Sequence, residues 1–216
     1  MILPGNFIPL FEKSELIVKL DRYMFEHACR WYRIHLERGG SPVSLAVNVS
    51  KAGLFQNDFV DFYTDIKDKY SVPDGVLELE FTESMLAADT ELFAELVVNL
   101  NARGFICSLD DFGSGYSSLN LLKNLPIDVL KLDILFFHKS RDIRRERIVV
   151  SNVINMAREL NIKTIAEGVE DMDTVEFLRK AGCNVIQGYV FAKPMPQEDF
   201  EHLLMENQDG PFGSGD

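Results

Sequence analysis

Cysteine is scarce and unpaired in this sequence: Cys29, Cys107 and Cys183 are odd in number, and none stands in a Cys-x-x-Cys spacing. That argues against a disulfide framework, and the apolar residues around each thiol point to reduced core cysteines of a cytoplasmic protein. Basic residues are in deficit, 22 Lys and Arg against 34 Asp and Glu, for a formal net charge of −12. A surface built to coat nucleic acid needs the opposite balance. A small phosphate ligand stays compatible with such a chain if metal ions supply the positive charge. Long apolar runs are missing too: none reaches the ~20 residues of a membrane span, and the opening Met1-Ile-Leu-Pro-Gly-Asn6 has no basic leader region. The expectation is a soluble, cytoplasmic chain, with any membrane anchor of a longer parent lying outside it. With 216 residues and 46% apolar content, one domain with a substantial core accounts for the length.

The stretch that organises the rest is Ser108-Leu-Asp-Asp-Phe-Gly-Ser-Gly-Tyr-Ser-Ser-Leu119. It follows the apolar run Phe105-Ile-Cys107, so Asp110 and Asp111 fall where a buried strand ends and a glycine-punctuated loop begins. Two adjacent carboxylates repel unless a cation sits between them or one takes up a proton. Gly113 and Gly115 allow a sharp turn or a close approach to a ligand, and Ser114, Tyr116, Ser117 and Ser118 offer hydroxyls for phosphate or for the loop itself. The alternative is an Asp-rich turn with a capping serine.

Taken in order, residues 1–11 read as a short Pro/Gly-containing entry. Helical periodicity follows from about Ser14 to Leu36, with Leu16, Ile17, Leu20, Tyr23, Met24, Ala28, Trp31 and Tyr32 as the core stripe, closed by Gly39-Gly40. Ser44–Ser50 reads as a buried strand ending in Asn48 and Ser50, Phe55–Tyr70 as a helix, and Val76–Glu83 as a strand. On that strand, period two sets Glu78, Glu80 and Thr82 on one face, which either looks at water or lines a charged cavity. Glu91–Ala102 is a helix, Phe105–Asp110 a strand, Ser117–Lys123 a short helix and Val129–Asp133 a strand. Arg141–Leu160 is a helix with Ile148, Val149, Val153, Ile154 and Ala157 as its apolar stripe. The alternating charges of its first turns make a solvated face. Lys163–Glu170 is a strand, Asp173–Lys180 a helix, Asn184–Val190 the last strand and Gln197–Met205 a final helix. From Asp209 onward the composition is that of a disordered tail.

Strands therefore alternate with helices in repeats of roughly 25 to 35 residues, the signature of a parallel sheet or barrel. Polar residues cluster at the C-terminal end of each strand. In a (β/α) barrel, Asn48, Glu80, Asp110, Asp111, Lys131, Asp133, Glu167 and Gln187 would meet at one mouth. An open doubly wound sheet would spread them along a crevice.

These residues resemble a known family. Phe7-Ile-Pro-Leu, Asn48-Val-Ser, Glu80-Phe-Thr-Glu-Ser, Asp110-Asp-Phe-Gly-Ser-Gly-Tyr-Ser-Ser-Leu, Leu130-Lys-Leu-Asp, Ala166-Glu-Gly-Val-Glu and Gln187-Gly-Tyr-Val-Phe-Ala-Lys-Pro-Met-Pro are similar, in order and spacing, to the EAL domain of bacterial cyclic di-GMP phosphodiesterases. The resemblance implies an α/β fold of the TIM-type (β/α) barrel kind, with residues 1–207 as the domain and 208–216 as a tail. It implies opening of cyclic di-GMP to linear pGpG with two Mg²⁺ or Mn²⁺ ions. Asn48, Glu80, Asp110, Asp111 and Glu167 would be metal ligands, with Glu167 and Lys131 catalytic. Gln187, Asp133 and Tyr189 would line the substrate's place, while Glu83, Glu170, Gly113, Gly115 and Ser117 would shape the surrounding loops. A homodimer through the loop after Asp111, and an upstream sensor or GGDEF domain in the parent, are further implications.

The Glu-Ala-Leu signature itself does not occur before Phe7. The expectation is accordingly an incomplete barrel lacking about two N-terminal strands of the usual eight, with stability and turnover below those of an intact domain. A second reading is a receptor or interaction module of the same fold that holds cyclic di-GMP or a protein without cleaving anything. A third is an unrelated metal-dependent barrel, since fold alone does not set chemistry.

Overall fold

A computed structural model describes residues 4–14, 16–85, 90–113, 122–133 and 142–206. Among these, six strands, β1 (Leu45–Asn48), β2 (Leu77–Thr82), β3 (Ile106–Asp110), β4 (Val129–Asp133), β5 (Lys163–Glu167) and β6 (Val185–Ile186), form one sheet in consecutive order. Every neighbouring pair is parallel. Consecutive parallel neighbours joined by helices curl one way only, which makes this a section of a β/α barrel rather than a doubly wound sheet with a reversal of strand order.

Period two sorts the two faces. Leu77, Leu79, Phe81, Cys107, Leu109, Leu130 and Leu132 are buried on the outer face, beneath the helices. The inner face carries Glu78, Glu80, Thr82, Ser108, Asp110, Lys131, Asp133 and Glu167, because the register aligns Glu80 with Ser108, Thr82 with Asp110 and Asp133 with Glu167. The acidic side of β2 lines the interior and does not look at water.

The helices follow local chemistry. α1 spans Pro4–Glu12, α2 Leu16–Glu37, α3 Lys51–Leu54, α4 Phe59–Lys69, α5 Thr90–Ala102, α6 Ile143–Glu159, α7 Met172–Ala181 and α8 Gln197–Glu206. Asp142 caps α6 by accepting from the N–H groups of Arg144 and Arg145, and Asp171 caps α7 by accepting from Thr174. Gly182 closes α7 at a left-handed φ of 86°.

Several expectations are corrected. The Pro/Gly-containing entry, to which the sequence assigns no secondary structure, holds helix α1: Pro4 stands at the first helical position, where its missing N–H is no loss, and Phe7 and Phe11 meet edge to face at 5.5 Å. The helix expected over residues 55–70 starts later, as α4 from Phe59, with Phe59 and Tyr63 buried in the core, and the short helix α3 (Lys51–Leu54), capped by Ser50, precedes it outside the expected span. On α2 the buried stripe is Ile17, Asp21, Phe25, Cys29, Trp31, Tyr32 and His35, whereas Leu16, Tyr23 and Met24 face outward. On α6 it is Val150, Ile154 and Ala157, with Ile148 and Val149 exposed. In both helices the phase is set by which side meets the sheet, and mixed stripes leave it ambiguous in sequence.

β1 is not buried as expected. Among the described residues it pairs only with β2, and Ala46 and Asn48 are exposed. β6 is shorter than expected because the chain leaves the sheet at Gln187, whose carbonyl accepts from the N–H of Val169. The first turns of α6 are the expected solvated face. Of the short helix expected over 117–123, only residues 122 and 123 are described, and they are helical; the tail from Asp209 lies outside the described residues.

Candidate active site

Lys131 is the centre of the site. It rises from the inner face of β4 and is only 5% exposed. Its ammonium donates to a carboxylate oxygen of Glu80, lies 2.8 Å from Glu167 Oε1 and 3.8 Å from Asp110 Oδ1. β2, β3 and β5 thus each send one carboxylate to a single cation from the strand between them. Burial alone would discharge the lysine, but the carboxylates of Glu80 and Glu167 outweigh it and hold the ammonium above its ordinary value. The carboxylates fare differently. Burial pushes Glu80 and Glu167 upward, and Lys131 only partly offsets this, because one positive charge serves three negative ones. Glu78, one layer below and 9% exposed, is likewise pushed up by burial, and its Oε1 has no hydrogen-bond partner among the described residues.

The turn after β3 gives the second half of the site. Asp111 adopts a left-handed φ of 55°, a conformation aspartate tolerates, and its N–H donates to Asp110 Oδ1 at 2.9 Å. The chain then turns through Gly113, whose N–H donates to Oε2 of the buried Glu83 at 3.4 Å, while the N–H of Phe112 donates to the Lys131 carbonyl. Burial, and next the charges of Asp110 and Asp133, raise the Asp111 carboxyl above its usual value. A cleft of about 840 Å³ opens beside it, lined by Asn48, Ser50, Thr82, Glu83, Asp111 and the apolar inner sides of α1 and α2. Asn48 is level with Glu80 in the sheet, so the amide stands at the border between cleft and carboxylate cluster.

Lys131, Glu80, Asp110 and Glu167 are brought together. Asn48, Asp111 and Glu83 line the adjoining cleft. Asp133 ends β4 level with Glu167. Gln187, Glu170 and Tyr189 stand at the rim and are exposed, with the Lys193 ammonium 5.7 Å from the Tyr189 ring centre. Gly188 pins this rim: a Cβ there would fall 2.0 Å from the Val169 carbonyl oxygen, so only glycine permits the approach. Gly115 and Ser117 lie outside the described residues. Sequence reasoning passed over Asp21 and Ser108, which sit inside the fold near this site; the signal available for Asp21 was a carboxylate four residues from both Ile17 and Phe25 in a buried stripe.

The donor set is all oxygen, one amide and several carboxylates, which suits a hard divalent cation, and the excess negative charge around Lys131 is what such an ion would neutralise. Among the described residues no three His, Cys, Asp or Glu side chains form a ready-made metal grouping; the ammonium of Lys131 stands between the carboxylates.

Parallel strands in consecutive order, with acidic residues and one buried lysine at their C-terminal ends, define a β/α-barrel protein with its site at the barrel mouth. The family model described as EAL domain matches residues 1–194, and the chain belongs to that family. It is 38% identical over 198 residues to the bifunctional diguanylate cyclase/cyclic di-GMP phosphodiesterase MucR of Pseudomonas aeruginosa, covering 92% of this chain and 29% of that protein. It is 36% identical to the cyclic di-GMP phosphodiesterase NbdA of the same organism, covering 93% of this chain and 26% of NbdA. The chain therefore spans under a third of the length of these two relatives. Among solved structures, the PaMucR phosphodiesterase in its c-di-GMP complex superposes with a TM-score of 0.85 at 38% identity, covering 92% of this chain and 81% of that one. The EAL domain of Mycobacterium smegmatis DcpA gives a TM-score of 0.81 at 31% identity, covering 88% and 86%. No helix among the described residues is long and apolar enough to cross a membrane.

Proposed function

We propose that this chain is a cyclic di-GMP phosphodiesterase domain that hydrolyses one phosphodiester to give linear pGpG. The observation that carries the reading is the ammonium of Lys131 held among Glu80, Asp110 and Glu167 at the strand ends, in a chain whose relatives include cyclic di-GMP phosphodiesterases. Asn48, Glu80, Asp110, Asp111 and Glu167 would hold Mg²⁺ or Mn²⁺. When bound, such ions polarise the phosphate and make water a nucleophile at neutral pH. The chain's own residues do the rest. Glu167, at the end of β5 beside Lys131, accepts the proton of the attacking water. The water oxygen bonds to phosphorus, the P–O3′ bond breaks, and the departing O3′ is protonated from solvent. Lys131 orients the water and stabilises charge on the phosphate oxygens. Asp133, Gln187 and Tyr189 would contact the substrate, and Glu83 holds Gly113 so that the turn presents Asp111.

The test is conversion of cyclic di-GMP to pGpG by the 216-residue chain, followed by chromatography with Mg²⁺, with Mn²⁺ and with chelator. Metal-dependent pGpG is expected, and no product with either ion would overturn the reading. A receptor that holds cyclic di-GMP without cleaving it is the alternative outcome of this test. It would reveal itself as calorimetric binding of cyclic di-GMP, unaffected by chelator and without product.

A further inference from the structure

The buried stripe of α2 contains one residue that core packing does not explain. Asp21 is 8% exposed between Ile17 and Phe25, and burial pushes its carboxyl above the usual value, so the fold bears a cost for keeping it there. Its Oδ2 accepts from the backbone N–H of Ser50 at 3.0 Å. Ser50 in turn accepts from the Gly53 N–H through its Oγ, also at 3.0 Å, and so caps α3, while its hydroxyl is also a partner of the Asp21 carboxylate. Gly53 has made room for Asp21 as well: a Cβ at that position would lie 2.7 Å from Oδ2.

What Asp21 grips is the turn that begins at Asn48. The turn is tied at two points. The N–H of Val49 donates to the Glu80 carbonyl at 3.0 Å, from the β2 side, and Ser50 is held by Asp21 from the α2 side. Asn48 is the residue just before this double tie, on a strand that among the described residues pairs only with β2. Asp21 and Asn48 line the same cleft as Thr82, Glu83 and Asp111.

We propose that Asp21 is a positioning residue: by holding the Ser50 N–H, it aims the Asn48 amide at the ion site beside Glu80. This rests on the phosphodiesterase reading for its purpose, though not for its geometry. Outer partners that orient a metal ligand typically change ion affinity about 10- to 100-fold when removed.

The test compares Asp21→Ala, which removes the acceptor, Asp21→Asn, which keeps one oxygen facing Ser50, and Ser50→Ala, which removes the α3 cap and the hydroxyl beside Asp21 but keeps the gripped N–H. Three measurements are made on each 216-residue protein: Mn²⁺ affinity by electron paramagnetic resonance, the Asn48 side-chain amide resonance and Ser50 amide exchange by NMR, and thermal midpoint. Asp21→Ala is expected to weaken Mn²⁺ binding about 10-fold, shift the Asn48 resonance and speed Ser50 exchange. Asp21→Asn should restore all three to near the parent values, and Ser50→Ala should lower the midpoint with Mn²⁺ affinity within about twofold of the parent. An unmoved Asn48 resonance in Asp21→Ala overturns the proposal, as do equal Mn²⁺ losses in Asp21→Ala and Ser50→Ala. If Asp21→Ala does not fold, Asp21→Leu, which keeps the volume but offers no acceptor, takes its place: a moved Asn48 resonance and weakened Mn²⁺ binding are expected, and parent values for both overturn the proposal. If the parent binds no Mn²⁺ and forms no pGpG, the phosphodiesterase reading falls, and the NMR measurements alone judge the role of Asp21.

Discussion

Glu167 Oε1 lies 2.8 Å from Lys131 Nζ across the β4–β5 pair, and the same ammonium reaches Glu80 on β2 and Asp110 on β3. Removing it leaves buried negative charge uncompensated, and breaking a buried ion pair from one side costs about 3–5 kcal/mol. Lys131→Met is therefore expected to lose stability of that order in urea unfolding of the metal-free protein. Added Mn²⁺ should recover part of the loss, while pGpG formation should fall at least about 100-fold. Unchanged unfolding would show that the carboxylates do not depend on the lysine.

The same crowding sets a pH dependence. Burial raises Glu78, Glu80 and Glu167 above 4.5, the ordinary glutamate value. A carboxyl raised in the folded state binds more protons there than in the unfolded chain, so its contribution to stability is complete below the unfolded value and lost as pH climbs through the folded one. Metal-free protein is accordingly expected to melt at a lower temperature at pH 8 than at about pH 5.5. Saturating Mg²⁺ should flatten the difference by stabilising the ionised forms. A metal-free midpoint that rises between these pH values would contradict this account.

Gly188→Ala sets a methyl group 2.0 Å from the Val169 carbonyl oxygen and 2.4 Å from the Val169 nitrogen, both backbone atoms. Overpacking of this kind costs about 1–3 kcal/mol. The variant should show a lowered thermal midpoint and, because Gln187 and Tyr189 are carried on the same turn, a raised KM for cyclic di-GMP. Binding equal to the parent's would separate the rim from the substrate's place.

Thiol reactivity checks the core. Cys29 and Cys107 are buried, and burial pushes the Cys29 thiol up to about 12 and raises that of Cys107 too. Cys183 is only partly covered. Titration with a chromogenic disulfide at pH 8 should therefore modify Cys183 alone in the native protein and all three thiols in guanidinium. Rapid reaction of a second thiol without denaturant would mean that the sheet opens.

Much of the fold was legible in the sequence, and so was the meeting of Glu80, Asp110, Lys131 and Glu167 at one end of the sheet. Period two in Leu77-Glu-Leu-Glu-Phe-Thr82, polar residues at strand ends, and the Asp110-Asp-Phe-Gly run are local signals, since a residue's side of a strand and its tolerance of a sharp turn depend only on near neighbours. The resemblance to the EAL domain family was likewise carried by short motifs in order. Helix phase was not legible. Ile148 and Val149 look as buried as Val150 in sequence, and only the contact of α6 with the sheet chose between them. Nor could sequence say that Lys131 would take carboxylates from three other strands, or that Asp21, 29 residues from Ser50, would reach its N–H. Residue types and local geometry are properties of short stretches of chain. Which charge meets which is decided by register and by the docking of helices on the sheet, because electrostatic partners across strands are chosen by distance in space and not along the chain.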